Sequence, residues 1–509
     1  MNVESASGDP ATRPTQFWLF PLGAICLHIL VLNAISISGK FREPVPDQPF
    51  ESLELVEQWR VYLGNTMYED YHTGHATHVY GPLGPLCIGR LMHLTGPSMY
   101  TGRACSALAG LGCVLLLIAL LGLYRRWIIL LLSSAFLIGL NDRMEDYWGV
   151  NKPDLPCTFF CLASLPFFYL GYQKRCWLRY GAGLILLICG FLFKQTGIMF
   201  AAVPAVAIFF SPGRTLREKW PYLVAPILSI LGTIQVLRYV FPLVYLYLFK
   251  VPGNAFTPTL LPPLLELIQQ TLWTPLFLFC AGLRFILWKR GEKIGLVEHW
   301  VLAGACVLIP ASAGATARWG AGNNSFIPGY FAFAAFCLIT LELWFRLRPL
   351  SSYSIPRQFG LACLFGILLF FSIYKRPTLN RYYFSDAYYQ RTSEYAGVCE
   401  KVRSLDARVV CPNDPTILLM AGKPPGRHVF AEPDDTFAAD LSKDLVPPSR
   451  VWHEIARSDY VVNIVPYFGS GITNARINEL GFEQVWEKGP YSLWKNTRPD
   501  REKDPQPVP

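Results

Sequence analysis

The chain has 509 residues, 52% hydrophobic and only 16% charged, with a mean hydropathy of +0.30. A water-soluble domain carries about a quarter charged residues, so a purely soluble globular protein is excluded. The net charge of +9 sits in short basic runs between apolar blocks, a pattern that speaks for membrane topology and against nucleic-acid partners.

The first apolar block, Phe17 to about Ile37, is longer than the roughly 7–15-residue core of a signal peptide and reads as a retained anchor. Further blocks follow at about 103–124, 127–141, 155–172, 179–196, 197–212, 220–242, 271–288, 296–314, 325–345 and 358–374. Most of these blocks lack Asp, Glu and Lys, and the longer ones, of about 18–22 residues, match the helix length needed to cross a hydrocarbon core. The expected fold is therefore a membrane all-α bundle of about eleven transmembrane helices. Basic residues mark alternate loops: Arg125 and Arg126; Lys174, Arg175 and Arg179; Arg214, Arg217 and Lys219; Lys289, Arg290 and Lys293; Arg346, Arg348 and Arg357. By the positive-inside rule these loops and the N-terminus are cytoplasmic in a multi-pass plasma (inner) membrane protein. The external side then receives 39–102, 141–154, the turn at Lys194, 243–270, 317–325 and everything after about 375.

Within external loop 39–102, segment 50–63 has apolar residues at 50, 53, 56, 59 and 63, near helical spacing. It reads as a surface helix with Trp59 and Tyr62 at the membrane interface. The transmembrane domain is expected over 1–375. Residues 376–496 change character, with strand-like runs (408–411, 461–465, 492–495) between helical ones (416–421, 475–480), and read as a small external α/β domain. Residues 497–509 are charged and Pro-rich and read as a disordered tail. Most of the fourteen cysteines lie inside apolar blocks, where a free thiol packs as a small hydrophobe. Cys399 and Cys411 lie in a long polar region, and a disulfide between them is left open.

Two groups of external carboxylates are candidates for chemistry: Asp47, Glu51 and Glu54 after the first span, and Asp142, Glu145, Asp146 and Asp154 between the third and fourth. Sugar transfer from a phosphate to a hydroxyl needs a base near the attacking oxygen and cations for the departing phosphate. Lys152, Lys194, Arg318 and Arg376 stand at external membrane ends. The plain alternatives are solvated or paired carboxylates and a snorkelling Lys194. His72, His75 and His78 sit among Gly and aromatic residues and read as loop rather than metal ligands. Asp142, Glu145 and Asp146 leave a divalent cation possible, and no other cofactor is expected. No Walker motif, dinucleotide fingerprint, HExxH or GxSxG is present.

Several short motifs, weak singly, acquire weight from their order: the acidic stretch Asp47 to Glu54, Gly64-Asn65-Thr66-Met67-Tyr68, Tyr80-Gly81-Pro82-Leu83, Gly102-Arg103-Ala104-Cys105-Ser106, Asn151-Lys152-Pro153-Asp154-Leu155, Lys194-Gln195-Thr196-Gly197 and Gly322-Asn323-Asn324-Ser325. In this layout the chain resembles the GT-C superfamily of polytopic glycosyltransferases, in particular bacterial members similar to protein O-mannosyltransferases and aminoarabinose transferases. The resemblance implies inverting transfer from a polyprenyl-phosphate sugar to a glycan, lipid or protein hydroxyl. It places the general base at Glu51, with Asp47 as the alternative. It also implies substrate contacts from Glu54, Tyr80, Asp142, Glu145, Asp146, Lys152, Asp154 and Asn324, and phosphate contacts from Lys194 and Arg318. The rival class is a secondary transporter or lipid-linked sugar flippase; it fits the span count but not the scarcity of mid-depth charge or the large acidic first loop.

Overall fold

The computed structural model describes residues 20–46, 49–69, 79–125, 127–250, 264–265, 268–269, 274–292, 295–316, 323–347, 354–373, 382–424, 426–428, 449–465 and 472–498. Asp47, Arg318, the three loop histidines and the tail from 499 lie outside them.

Each apolar block forms helix: α1 (Phe20–Arg42), α4 (Met99–Leu120), α5 (Trp127–Arg143), α6 (Asp154–Gln173), α7 (Trp177–Phe193), a 3-10 turn Gln195–Ala201 running into α8 (Ala202–Phe209), α9 (Leu216–Val240), α10 (Pro275–Lys289), α11 (Leu296–Ala315), α12 (Ile327–Leu347) and α13 (Ile355–Ile373). Among the described residues, α1, α4, α6, α9, α11, α12 and α13 are long and apolar enough to cross a bilayer. Local chemistry fixes their ends. Thr215 and Glu218 cap each other at the start of α9, and Ser98 accepts the Tyr100 N–H at the start of α4. The helices pack sequentially, with α6 against α7, α4 against α6 and α1 against α5. Helix α12 is buried along nearly its whole length and forms the centre of the bundle.

Between α1 and α4 lie two further helices, α2 (Pro49–Tyr62) and α3 (Leu83–Thr95), packed on each other. Helix α2 departs from the expectation of a surface helix: every residue from Glu51 to Arg60 is buried. Leu55 and Trp59 pack with Ile88, Met92 and Met99, and with Leu419 far along the chain. Its apolar spacing reports contact with α3 and the C-terminal residues, not with lipid. Its charged residues face protein partners instead of water.

The C-terminal residues build a four-stranded sheet in the order β1-β2-β4-β3, from β1 (Val409–Val410), β2 (Tyr460–Ile464), β3 (Phe482–Lys488) and β4 (Tyr491–Asn496). β1 and β2 are parallel; β4 is antiparallel to β2 and β3. Helices α14 (Asp386–Arg403) and α15 (Thr416–Met420) cover the sheet, with Tyr395, Val398, Val402, Ile417, Val462 and Leu493 in one core. Val45, from the α1–α2 connection, is part of the same core. Cys399 and Cys411 are buried free thiols. Burial, then the charge of Asp414, pushes the Cys399 thiol up to about 12.

Candidate active site

Five buried side chains from four stretches of chain converge at one end of the bundle: Glu54 on α2, Tyr80 before α3, Lys152 and Asp154 at the start of α6, and Lys194 where α7 ends. The convergence starts from local backbone. At Phe193 the helix stops, and Lys194 adopts extended angles before the 3-10 turn. The broken segment is joined to the Tyr80 loop by the Gly81 N–H donating to the Phe193 carbonyl (3.2 Å) and the Gln195 amide donating to the Val79 carbonyl (3.0 Å). A Cβ at Gly81 would lie 2.1 Å from the Leu192 carbonyl oxygen, so only glycine allows this approach. Tyr68 donates its hydroxyl to the Tyr80 carbonyl at 2.6 Å.

Lys194 donates to Asp154 Oδ1 at 2.5 Å, and both side chains are nearly solvent-free. Its Nζ lies 4.9 Å from the Tyr80 ring centroid, and Lys152 Nζ lies 5.9 Å from the same ring. Burial works against the charge on Lys194, but Asp154 and the Tyr80 oxygen outweigh it and hold the ammonium above the usual lysine range. For Lys152 burial dominates and pushes the ammonium down to about 8, against the pull of Glu54 and Asp154. The two lysines thus differ: one is locked as a cation, the other titrates near physiological pH. Asp154 Oδ2 is buried with no hydrogen-bond partner among the described residues, an open acceptor beside the two ammonium groups.

Glu51 stands one helical turn from Glu54 but in a different setting. Arg103, fully buried at the start of α4, grips it with Nε to Oε1 at 2.8 Å and Nη2 to Oε2 at 2.9 Å. The Asn151 N–H adds a third bond to Oε1 at 2.8 Å. Arg103 also donates to the carbonyls of Lys40 (2.8 Å), Val45 (3.2 Å) and Glu43. Asn151 exchanges two amide bonds with Gln58 (2.8 and 2.9 Å), and Ser106 bonds the Lys152 backbone on both sides (3.0 and 3.3 Å). This lattice fastens α2 to α4 and to the Lys152 loop. Glu51 is thus bonded through both oxygens to Arg103 and through one to Asn151, and it joins α2 to α4.

Of the second acidic group, the members take different places. Asp154 joins the cluster, whereas Asp146 turns away. It sits at φ 62°, following Glu145 at φ 56°, and accepts from Ser36 (2.5 Å) and Asn141 (2.7 Å), tying the turn to α1. Asp142 and Glu145 lie half-buried on that turn. Asn324 is half-buried on the 3-10 turn Asn323–Phe326, with no bond to the cluster among the described residues. Among the described residues no three His, Cys, Asp or Glu side chains form a metal site. The fastening residues Arg103, Asn151 and Gln58 were not expected as a group; the one signal for them is a charged residue opening an otherwise apolar span.

Residues 78–239 match the family model described as dolichyl-phosphate-mannose-protein mannosyltransferase. No curated protein matches the chain. Among solved structures, the chain is similar to ArnT from Cupriavidus metallidurans in the apo state, with a TM-score of 0.58 and 13% identity over 93% of this chain and 98% of that one. It is also similar to the same protein bound to undecaprenyl phosphate, with a TM-score of 0.60 and 12% identity over 96% and 99%. The chain thus has the polytopic GT-C fold that its motifs resemble.

Proposed function

We propose that the protein is an inverting glycosyltransferase that moves a sugar from a polyprenyl-phosphate carrier to a hydroxyl acceptor at the external face of the membrane. The observation that carries the reading is the convergence of two buried lysines, Lys152 and Lys194, on Tyr80 beside Asp154 and Glu54. Ammonium groups in a water-poor site hold a phosphate and stabilise the charge that develops on it as the glycosidic bond breaks. The fold similarity to a protein solved with undecaprenyl phosphate supports a lipid-phosphate ligand.

In the proposed reaction the acceptor oxygen attacks the anomeric carbon and its proton passes to a carboxylate. The carbon–oxygen bond to phosphate breaks, and polyprenyl phosphate leaves on the lysines. The base belongs to the segment after α1, on the α1–α2 connection or on α2 itself. With Glu51 bonded to Arg103, the role falls to Asp47 or to Glu54, whose charge acts on Lys152 more strongly than that of any other carboxylate. Asp154 Oδ2 is available to accept from a sugar hydroxyl. The test is transfer from a panel of radiolabelled polyprenyl-phosphate sugars in membranes holding the protein. Labelled acceptor, lost in Lys194→Ala, is the expected result. Movement of the labelled lipid between leaflets without transfer would replace the enzyme with a flippase.

A further inference from the structure

We infer that the C-terminal domain is a positioning clamp for helix α2, with Arg391 and Asp414 as its positioning residues. The inference rests on the reading of Asp47 or Glu54 as the catalytic carboxylate. Four contacts, spread over the α1–α2 connection and α2, carry it. Glu43, fully buried, pairs with Arg391 at 3.0 Å, and Arg391 also donates to the Pro46 carbonyl at 3.3 Å. Val45 is inserted into the core of the C-terminal domain beside Val398 and Leu493. Ser52 donates to Asp414 Oδ1 at 2.7 Å. Leu55 and Trp59 pack with Leu419.

The clamp is built to be stiff. Asp414 Oδ1 also accepts the Thr416 N–H (3.2 Å) and hydroxyl, and the Thr416 hydroxyl is paired with that of Tyr395 at 2.7 Å. Burial raises the Asp414 carboxyl above its usual range while the Thr416 and Ser52 bonds pull it back. From the opposite side Arg103 holds Glu51 and the carbonyls of Lys40, Glu43 and Val45. Residues 43–46 and 51–59 are therefore held between the bundle and the C-terminal domain, and Glu54 sits inside the clamped stretch. A domain hung from the last membrane helix as an independent module would meet the bundle through exposed, replaceable contacts. Here most of the contacts are buried. Lys194 is held from α7 by its pair with Asp154 on α6, off the clamped stretch, so loosening the clamp displaces the carboxylate and leaves this phosphate contact in place.

The experiment uses the full-length protein with Arg391→Ala, Asp414→Asn and Arg391→Lys. Hydrogen exchange of the 49–62 peptide, binding of undecaprenyl phosphate, and kcat and KM for transfer are measured for each. Loss of a buried charge-assisted bond raises local opening about ten-fold. The expected result is such a rise in α2 exchange for Arg391→Ala and Asp414→Asn, a fall in kcat of about ten-fold, and undecaprenyl phosphate binding within about two-fold of wild type. Arg391→Lys, which keeps the charge beside Glu43, recovers most of kcat. Unchanged α2 exchange, or loosened α2 with unchanged kcat, overturns the inference. Wild-type protein inactive with every polyprenyl-phosphate sugar overturns the proposed function instead, and the exchange measurement then decides on the clamp alone.

Discussion

Replacing Glu51 by Gln separates a fastener from a base. Both members of the Glu51–Arg103 pair are about fully buried, with side-chain exposures of 1% and 0%, so solvent screening does not weaken the pair. Removing one partner of a buried pair costs about 3–5 kcal/mol because the other charge is stranded. Arg103 keeps its carbonyl acceptors at Lys40, Val45 and Glu43, which places the cost near the lower end, about 3 kcal/mol. The amide of Gln also turns an N–H₂ toward the guanidinium, adding about 1 kcal/mol through a lost acceptor. Combining Glu51→Gln with Arg103→Gln removes the stranded charge, so the double variant is less damaged than the sum of the singles by about 2 kcal/mol or more. The assay is thermal unfolding of detergent-solubilised protein followed by size-exclusion fluorescence, alongside transfer activity. Glu51→Gln melting with wild-type protein while wholly inactive would refute the argument and return the base to Glu51.

Two further outcomes follow from the same geometry. Lys152 is pushed down to about 8 by burial, so its ammonium is present below that pH and is lost as pH rises through it. Undecaprenyl phosphate binding is therefore expected to weaken above about pH 8, and Lys152→Arg, whose guanidinium stays protonated, removes that limb; a pH-independent wild type contradicts this. At Gly102 a Cβ would fall 1.9 Å from Asn151 Oδ1, so Gly102→Ala breaks the Asn151–Gln58 amide pair and costs about 1–3 kcal/mol, read as a lower melting temperature with weaker binding.

The membrane helices were legible because hydrocarbon imposes a length and a composition on a span, and each apolar block did become helix. The 3-10 break after Phe193 was legible only as a lysine ending an apolar run. In the C-terminal domain, β2 and β4 stand out as buried runs, while β3 (Phe482–Lys488) escaped because it is an edge strand whose residues are mostly exposed, with Glu483, Glu487 and Lys488 charged. Helix α2 shows what periodicity does not encode. The spacing of Leu53, Val56 and Trp59 gives the helix and one apolar face, but both faces of this helix are covered by protein. Which carboxylate is neutralised depends on Arg103, 52 residues away, and no local pattern pairs residues at that separation. Lys152, Asp154 and Lys194, which the structure brings together, stood out in the sequence because charge at a membrane end is costly enough to need a reason.

The joint between the Tyr80 loop and the end of α7 has a mechanical consequence. An interrupted helix in apolar surroundings leaves peptide groups that water cannot reach; here the Gly81 N–H satisfies the Phe193 carbonyl, and the Gln195 side-chain amide in turn satisfies the Val79 carbonyl. Peeling residues 79–82 away would strand those groups, so this rim of the site behaves as a fixed jamb. Any opening of this region is then expected on the facing side rather than at residues 79–82.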